Sequence, residues 1–238
     1  MSKHIFALYY PYSFEGKQSI CRDSDIIQRC ERVLRLQEGE ELILFNDTHY
    51  TPARITAIKK KEIHFSLESM HLIGALLPAI TYLLPLQEKD QWEEALYKFA
   101  VLGVTTIVPV ITENSRTSWG APKDYERAHR IFIAAAEQSK QFKLPQLVRV
   151  QRLESALTEY SSSHNICFDA QGEKLVALLP QFTQTTSFTL VTGPEAGFSD
   201  KEFALLDQHN FKKISLVTSI LKASHAATLA VGCIRSLI

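Results

Sequence analysis

From Ala79 onward, apolar runs alternate with amphipathic segments, and this alternation restricts the fold more than any other feature of the chain. Ala79–Leu86 is an unbroken apolar run, as expected of a strand buried on both faces. Asp90–Leu102 sets Trp92, Leu96, Phe99 and Ala100 at helical spacing, and Gly103 follows as a helix cap. Thr105–Val110 is apolar and β-branched. Strand, helix and strand in so short a span predict a βαβ unit and a parallel sheet. The pattern continues with helices over Asp124–Lys140, Glu154–Tyr160, Glu173–Leu179, Asp200–Asn210 and Ala223–Ile238. Between them lie predicted strands at Leu147–Val150, Asn165–Phe168, Ser187–Val191 and Lys213–Ser215. Residues 73–238 therefore read as one α/β domain with a mostly parallel sheet.

Residues 1–70 read differently. Glu41–Phe45, Tyr50–Ile58 and Glu62–Leu67 have strand character, and the last two alternate apolar and polar residues. Asn46-Asp47 supplies a turn, Lys59-Lys60-Lys61 a hairpin tip, and Asp25–Leu34 a short helix. A small β-rich unit is the expected result. The aromatics Phe6, Tyr9, Tyr10, Tyr12 and Phe14 suit its core, with base stacking as the functional reading.

The 26 basic and 26 acidic residues cancel, so no global field draws the chain to nucleic acid; any such pull must be local. Cys21, Cys30, Cys167 and Cys233 form no CxxC pair and no metal-ligand spacing, so no metal is expected. The longest apolar stretch, Leu72–Leu86, is shorter than the ~20 residues of a membrane span and contains Pro78 and Pro85. Lys3 and His4 precede Ile5–Tyr10 without a leader-type cleavage site. The expectation is a cytoplasmic protein with reduced thiols.

Chemistry concentrates in Leu190–Asp200, read LVTGPEAGFSD. A strand ends in a turn with two glycines and a proline, and a helix starts at once. Ligands of parallel α/β sheets sit outside the carboxyl ends of strands, where glycine lets the backbone come close. Ser199 and Glu202 also form a capping box, which by itself only starts a helix. Ile214–Ala223, read ISLVTSILKA, repeats the strand–loop–helix plan, and Leu216, Ile220 and Leu221 can wall an adenine slot. The two loops are expected to follow neighbouring strands and to share one pocket.

These segments resemble the RsmE family, the 16S rRNA uracil-N3 methyltransferases of the SPOUT superfamily. The family's GPEGGFS signature is similar to Gly193–Ser199, with Ala196 for one glycine. Its ISLG-x-x-ILR-x-ETA signature is similar to Ile214–Ala226; Val217, Lys222 and Ser224-His225 replace glycine, arginine and Glu-Thr. Val101–Val104, Pro109 with Glu113-Asn114-Ser115, Ala135–Ser139, and Val33–Leu36 followed by Gly39 match further family stretches. Where the family reads G-R-N-R, this chain has Lys140-Gln141-Phe142-Lys143.

The resemblance implies a trefoil-knotted α/β methyltransferase domain behind a PUA-like RNA-binding β-barrel. It further implies a homodimer, S-adenosyl-L-methionine as methyl donor, and one uridine of 16S rRNA in the small ribosomal subunit as substrate. Mapped onto this chain, the cofactor loops are Thr192, Gly193, Pro194, Glu195 and Gly197, with Leu216, Ser219, Ile220 and Leu221. Uridine N3 must lose a proton, so a base or a cation near the acceptor is needed. Glu195 and His225 are the base candidates, and Lys222 or Arg116 the cations. For phosphate contact the candidates are Arg22, Arg29, Arg32, Arg35, Lys59, Lys60 and Lys61, with the arginines at 29, 32 and 35 on roughly one helix face. A methyltransferase of the same fold acting on transfer RNA, and a non-catalytic RNA-binding assembly protein, are the alternatives at this level.

Overall fold

In the N-terminal region the alternation of apolar and polar residues becomes strands β3 (Glu41–Phe45), β4 (His49–Lys59) and β5 (Glu62–Leu67). The structure is a computed structural model, and it describes residues 5–115, 118–182, 187–219 and 221–236. β1 (Phe6–Tyr9), β2 (Gln18–Cys21) and β6 (His71–Leu72) complete a six-stranded sheet ordered β1-β3-β4-β5-β2, with β6 on β4. β1 and β3 are parallel and the other pairs antiparallel. Lys59 pairs with Glu62, which puts Lys60 and Lys61 at the hairpin tip. The core is built on Leu8, Leu44, Ile55, Ile63 and Phe65. This first unit comprises the chain up to Ala75 together with Ala136–Lys143.

The expected helix over Asp25–Leu34 is shorter. Asp23 caps α1 (Ser24–Gln28), and Arg29–Val33 is a π-helical turn closed by the bond from Leu34 N–H to Arg29 C=O. Arg35 has φ 53°. A wider turn and a left-handed residue break the three-residue repeat, so Arg29, Arg32 and Arg35 do not share a helix face.

In the second unit, β7 (Ile80–Pro85), β8 (Thr106–Ile111), β9 (Gln146–Leu147), β10 (Gln151–Arg152), β11 (His164–Lys174), β12 (Phe188–Thr192) and β13 (Lys212–Ser215) form one sheet. The order is β10-β8-β7-β12-β11-β13 with β9 on β8, and every pairing is parallel. Both faces are covered. Tyr82, Leu84, Ile166 and Leu190 pack with α2 (Lys89–Val101), α3 (Pro122–Ser139) and α6 (Ala223–Ser236). Leu83, Val108, Cys167 and Val191 pack with α4 (Leu153–Glu159) and α5 (Asp200–Gln208). Alternate residues of one strand thus enter two cores, which is why the strands read as continuous apolar runs. Gly103, φ 74°, takes the left-handed position after α2.

Two expected elements differ. Leu147–Val150 is not one strand; only Leu147 is in a ladder, at the end of β9, and the next ladder, β10, starts after Val150. Glu173–Leu179 is not an α-helix: Glu173 and Lys174 still belong to β11, and Leu175–Gln181 is a 3₁₀ segment. Pro180, with no N–H to donate, sits inside it and denies it the α-helical ladder.

Candidate functional site

The two glycine- and leucine-bearing loops do not follow neighbouring strands, because β11 lies between β12 and β13. They meet all the same. One cavity of about 340 Å³ at the strand ends is lined by Thr192, Gly193, Pro194, Glu195 and Gly197, and by Leu216, Val217, Ser219, Leu221 and Lys222. Ile220 lies outside the described residues, as does Arg116. The missing wall comes from β11. Phe168 and Glu173 both pair with Ile214, so the chain leaves the ladder between them. That excursion brings Asp169 and Ala170 to the cavity beside Phe168.

The local geometry follows from the residue types. Thr192 is buried, and its hydroxyl oxygen accepts from the Tyr82 hydroxyl at 3.0 Å. Gly197 has φ 75°, and its N–H reaches the Pro194 carbonyl at 2.8 Å, closing the turn. Its own carbonyl accepts from the Asn114 amide at 3.0 Å. Ser199 caps α5 by accepting from Glu202 N–H, while the buried Glu202 carboxylate accepts from Ser199 N–H and from Glu113 N–H, each at 2.9 Å. The capping box therefore also ties the loop to residues 113–114. In the second loop, the Ser215 hydroxyl donates to the Val217 carbonyl at 2.9 Å. Val217 is not among the residues of positive φ, so the valine that replaces the family's glycine sits in an ordinary backbone region.

Glu195 is exposed at the rim, where Oε1 accepts from the Gln91 amide at 2.8 Å. Lys222 lines the same cavity, as Asp169 does. His225 does not line it. Lys222, Ala223 and Ala226 line the cavity where α6 begins, and residue 225 is exposed outside it. There its charge is felt by Glu94 of α2, whose carboxyl is held below its usual range first by Lys98 and lastly by His225. Asp169, Gln91, Asn114 and Tyr82 were not singled out from sequence; Asn114 alone carried a signal, in the stretch Glu113-Asn114-Ser115. Among the described residues, no group of three or more His, Cys, Asp or Glu side chains is placed to hold a metal.

The phosphate candidates divide. Arg22 and Lys59 both pair with Glu62, each at 3.2 Å, and Arg29 pairs with Glu137. The His64 and Lys59 hydrogen bonds pull the Glu62 carboxyl down to about 2. Arg32, Arg35, Lys60 and Lys61 are exposed, with no ion pair among the described residues.

A parallel sheet covered on both faces, with a glycine turn and an apolar loop walling a cavity at its carboxyl ends, defines an α/β ligand-binding protein of the doubly wound kind. Among the described residues, no helix is long and apolar enough to cross a membrane. Comparison with known proteins narrows the class. Residues 76–235 match the RNA methyltransferase domain family and residues 32–68 the RNA methyltransferase PUA domain, so the chain belongs to the RNA methyltransferases. It is 28% identical over 213 residues to ribosomal RNA small subunit methyltransferase E of Rickettsia conorii, covering 86% of this chain and 84% of that one. The Aquifex aeolicus protein of the same name is 26% identical, covering 96% and 97%. A Legionella pneumophila protein solved with bound S-adenosylmethionine superposes with a TM-score of 0.84 at 26% identity over 98% of both chains. The Neisseria gonorrhoeae methyltransferase E structure shares the fold, with a TM-score of 0.85 at 24% identity.

Proposed function

We propose that this chain transfers a methyl group from S-adenosyl-L-methionine to N3 of one uridine in 16S ribosomal RNA. The observation that carries the reading is the single cavity built by Thr192–Gly197, the Asp169–Ala170 excursion and Leu216–Lys222. Its chemistry suits the donor. Pro194, Leu216, Val217 and Leu221 offer aliphatic walls to an adenine ring, and the carboxylates of Asp169 and Glu195 complement the positive charges of the sulfonium and the amino group. When bound, the donor supplies a methyl group on a cationic sulfur, transferable by in-line displacement.

The chain's own residues then align the acceptor, exclude water and manage one proton. Glu195, steadied at the rim by Gln91, accepts the N3 proton. Lys222 offsets charge that grows on the uracil oxygens as that proton leaves. His225 takes no part in the proposed proton transfer, because it does not line the cavity. Residues 1–70 form the PUA-like unit that holds RNA, with Arg32, Arg35, Lys60 and Lys61 as its open cations, and residues 73–238, apart from Ala136–Lys143 packed into the first unit, the methyltransferase domain. In this reading the chain is threaded into a trefoil knot, with α6, which follows edge strand β13, packed on α2 and β12. The active form is a homodimer in the cytoplasm, and no metal is required.

Mass spectrometry of small-subunit rRNA nucleosides from a deletion strain tests the reading. Loss of N3-methyluridine at one position is expected; an unchanged level would refute it.

A further inference from the structure

A second cavity, of about 370 Å³, opens between α2 and the start of α3, away from the proposed donor cavity. Its walls include Leu86, Trp92, Trp119, Lys89, Lys123 and Arg130. Trp92 and Trp119 lie 5.3 Å apart between ring centroids, and Tyr125 backs Trp119 at 4.6 Å. Trp92 is buried, and its indole N–H finds no hydrogen-bond partner among the described residues.

The charges are uneven. Of the cations on the walls, Arg127 is held by both oxygens of Glu93. Of the carboxylates, Asp124 is occupied by the N–H groups of Gly120 and Ala121, at 3.0 and 2.9 Å. Lys89, Lys123 and Arg130 are left exposed, with no ion pair among the described residues. A flat aromatic wall and three open cations match a nucleobase joined to a phosphate.

Position supports the same occupant. A smaller cavity of about 220 Å³ shares Leu86 and Gln87 with this one, and Pro194 and Glu195 with the donor cavity. The three spaces form a track that runs past Glu195. A strand whose acceptor base sits at Glu195 can lay its neighbour along that track.

We propose that the Trp92–Trp119 cavity binds a single-stranded RNA nucleotide flanking the methylated one, with its base stacked on Trp119 and its phosphate on Lys123 and Arg130. The inference rests on the RNA methyltransferase reading and adds a subsite to it. The chain has only two tryptophans, and both line this cavity, so fluorescence excited selectively at tryptophan reports on it alone. Titration with a short uridine-containing single-stranded RNA should quench that fluorescence saturably. Trp119→Leu should weaken RNA binding about tenfold, the scale of one base stack. Lys123→Glu with Arg130→Glu, both at exposed positions, should weaken it with a shallower salt dependence, and this pair keeps the test open if Trp119→Leu fails to fold. Binding of S-adenosyl-L-methionine, measured by calorimetry, should not change in either variant.

RNA that binds without quenching, or with full affinity in the charge-reversed variant, would overturn the proposal. So would fluorescence that follows protein concentration instead of RNA, since the cavity would then be a contact between copies of the chain. Normal methyl transfer without quenching would sink the subsite alone. Quenching without donor binding or methyl transfer would sink the methyltransferase reading and leave the subsite standing.

Discussion

Thr192 ends its strand with a buried hydroxyl, and the Tyr82 hydroxyl, itself fully buried, donates to it. Burial raises the Tyr82 phenol far above its ordinary range, so it stays a neutral donor. The bond fixes where the glycine turn leaves the sheet. Tyr82→Phe removes one partner and leaves the Thr192 oxygen buried and unmatched, at a cost of about 1–2 kcal/mol. Urea denaturation measures this, and equal midpoints for the two proteins would show that the bond does not contribute. His164 makes a pH-dependent contribution of its own. Its ring stacks on Phe188 at 5.5 Å and meets Phe182 edge-on at 5.1 Å, and burial depresses its pKa. The folded state therefore disfavours the imidazolium, and the unfolded chain takes up the proton first. Stability is lost as pH falls below the ordinary histidine value of ~6.5 and is retained above it. The stability of wild type relative to His164→Phe should accordingly decline as pH falls through ~6.5. A difference independent of pH would rule out this role.

Strand β11 shows how an element owes its shape to a distant neighbour. An ideal Cβ on Gly172 would lie 2.5 Å from Ile214 N and from the Lys213 carbonyl carbon. Only glycine lets the returning chain press this close to β13. Gly172→Ala should cost roughly 3 kcal/mol or more, because backbone has to move to admit the methyl group. It should also weaken donor binding, since the excursion and the loop after β13 share the cavity. Denaturant melts and calorimetry check both effects, and wild-type stability would mean that the strands do not meet so closely. This is where the sequence stopped being readable. The runs Ala79–Leu86 and Ser187–Val191 announced buried parallel strands because each face of the sheet has its own apolar core. Asp169-Ala170-Gln171-Gly172 has no apolar period, and its cause lies some forty positions away in β13. Glu137 and Phe142 were equally opaque. They continue or follow a regular helix, yet Glu137 accepts from Tyr9 N–H and Phe142 stacks on Phe45 at 4.6 Å, contacts that local pattern does not encode. The two cofactor loops were legible because glycine, proline and a capping box are local devices. The placement of His225 was not, since it depends on the turn at which α6 begins.

At the scale of the whole molecule, 26 positive and 26 negative side chains leave no net field, so affinity for RNA has to come from cations that the protein does not neutralise itself. Glu62 sets part of that number. Its carboxyl, held at about 2, remains ionised at any working pH and occupies both Arg22 and Lys59. Lys60 and Lys61, at the tip of the same hairpin, remain open. Two substitutions should therefore act in opposite directions. Lys60→Glu with Lys61→Glu removes open cations, and each phosphate left without its cation should reduce the slope of log K against log salt by ~0.7–0.9. Glu62→Gln releases Arg22 and Lys59, and should raise affinity at low salt and steepen the slope. Filter binding of a 16S rRNA fragment over a salt series measures both, and donor binding should be the same in all three proteins. If both variants shift in one direction, or neither shifts, the hairpin is not where phosphate is met.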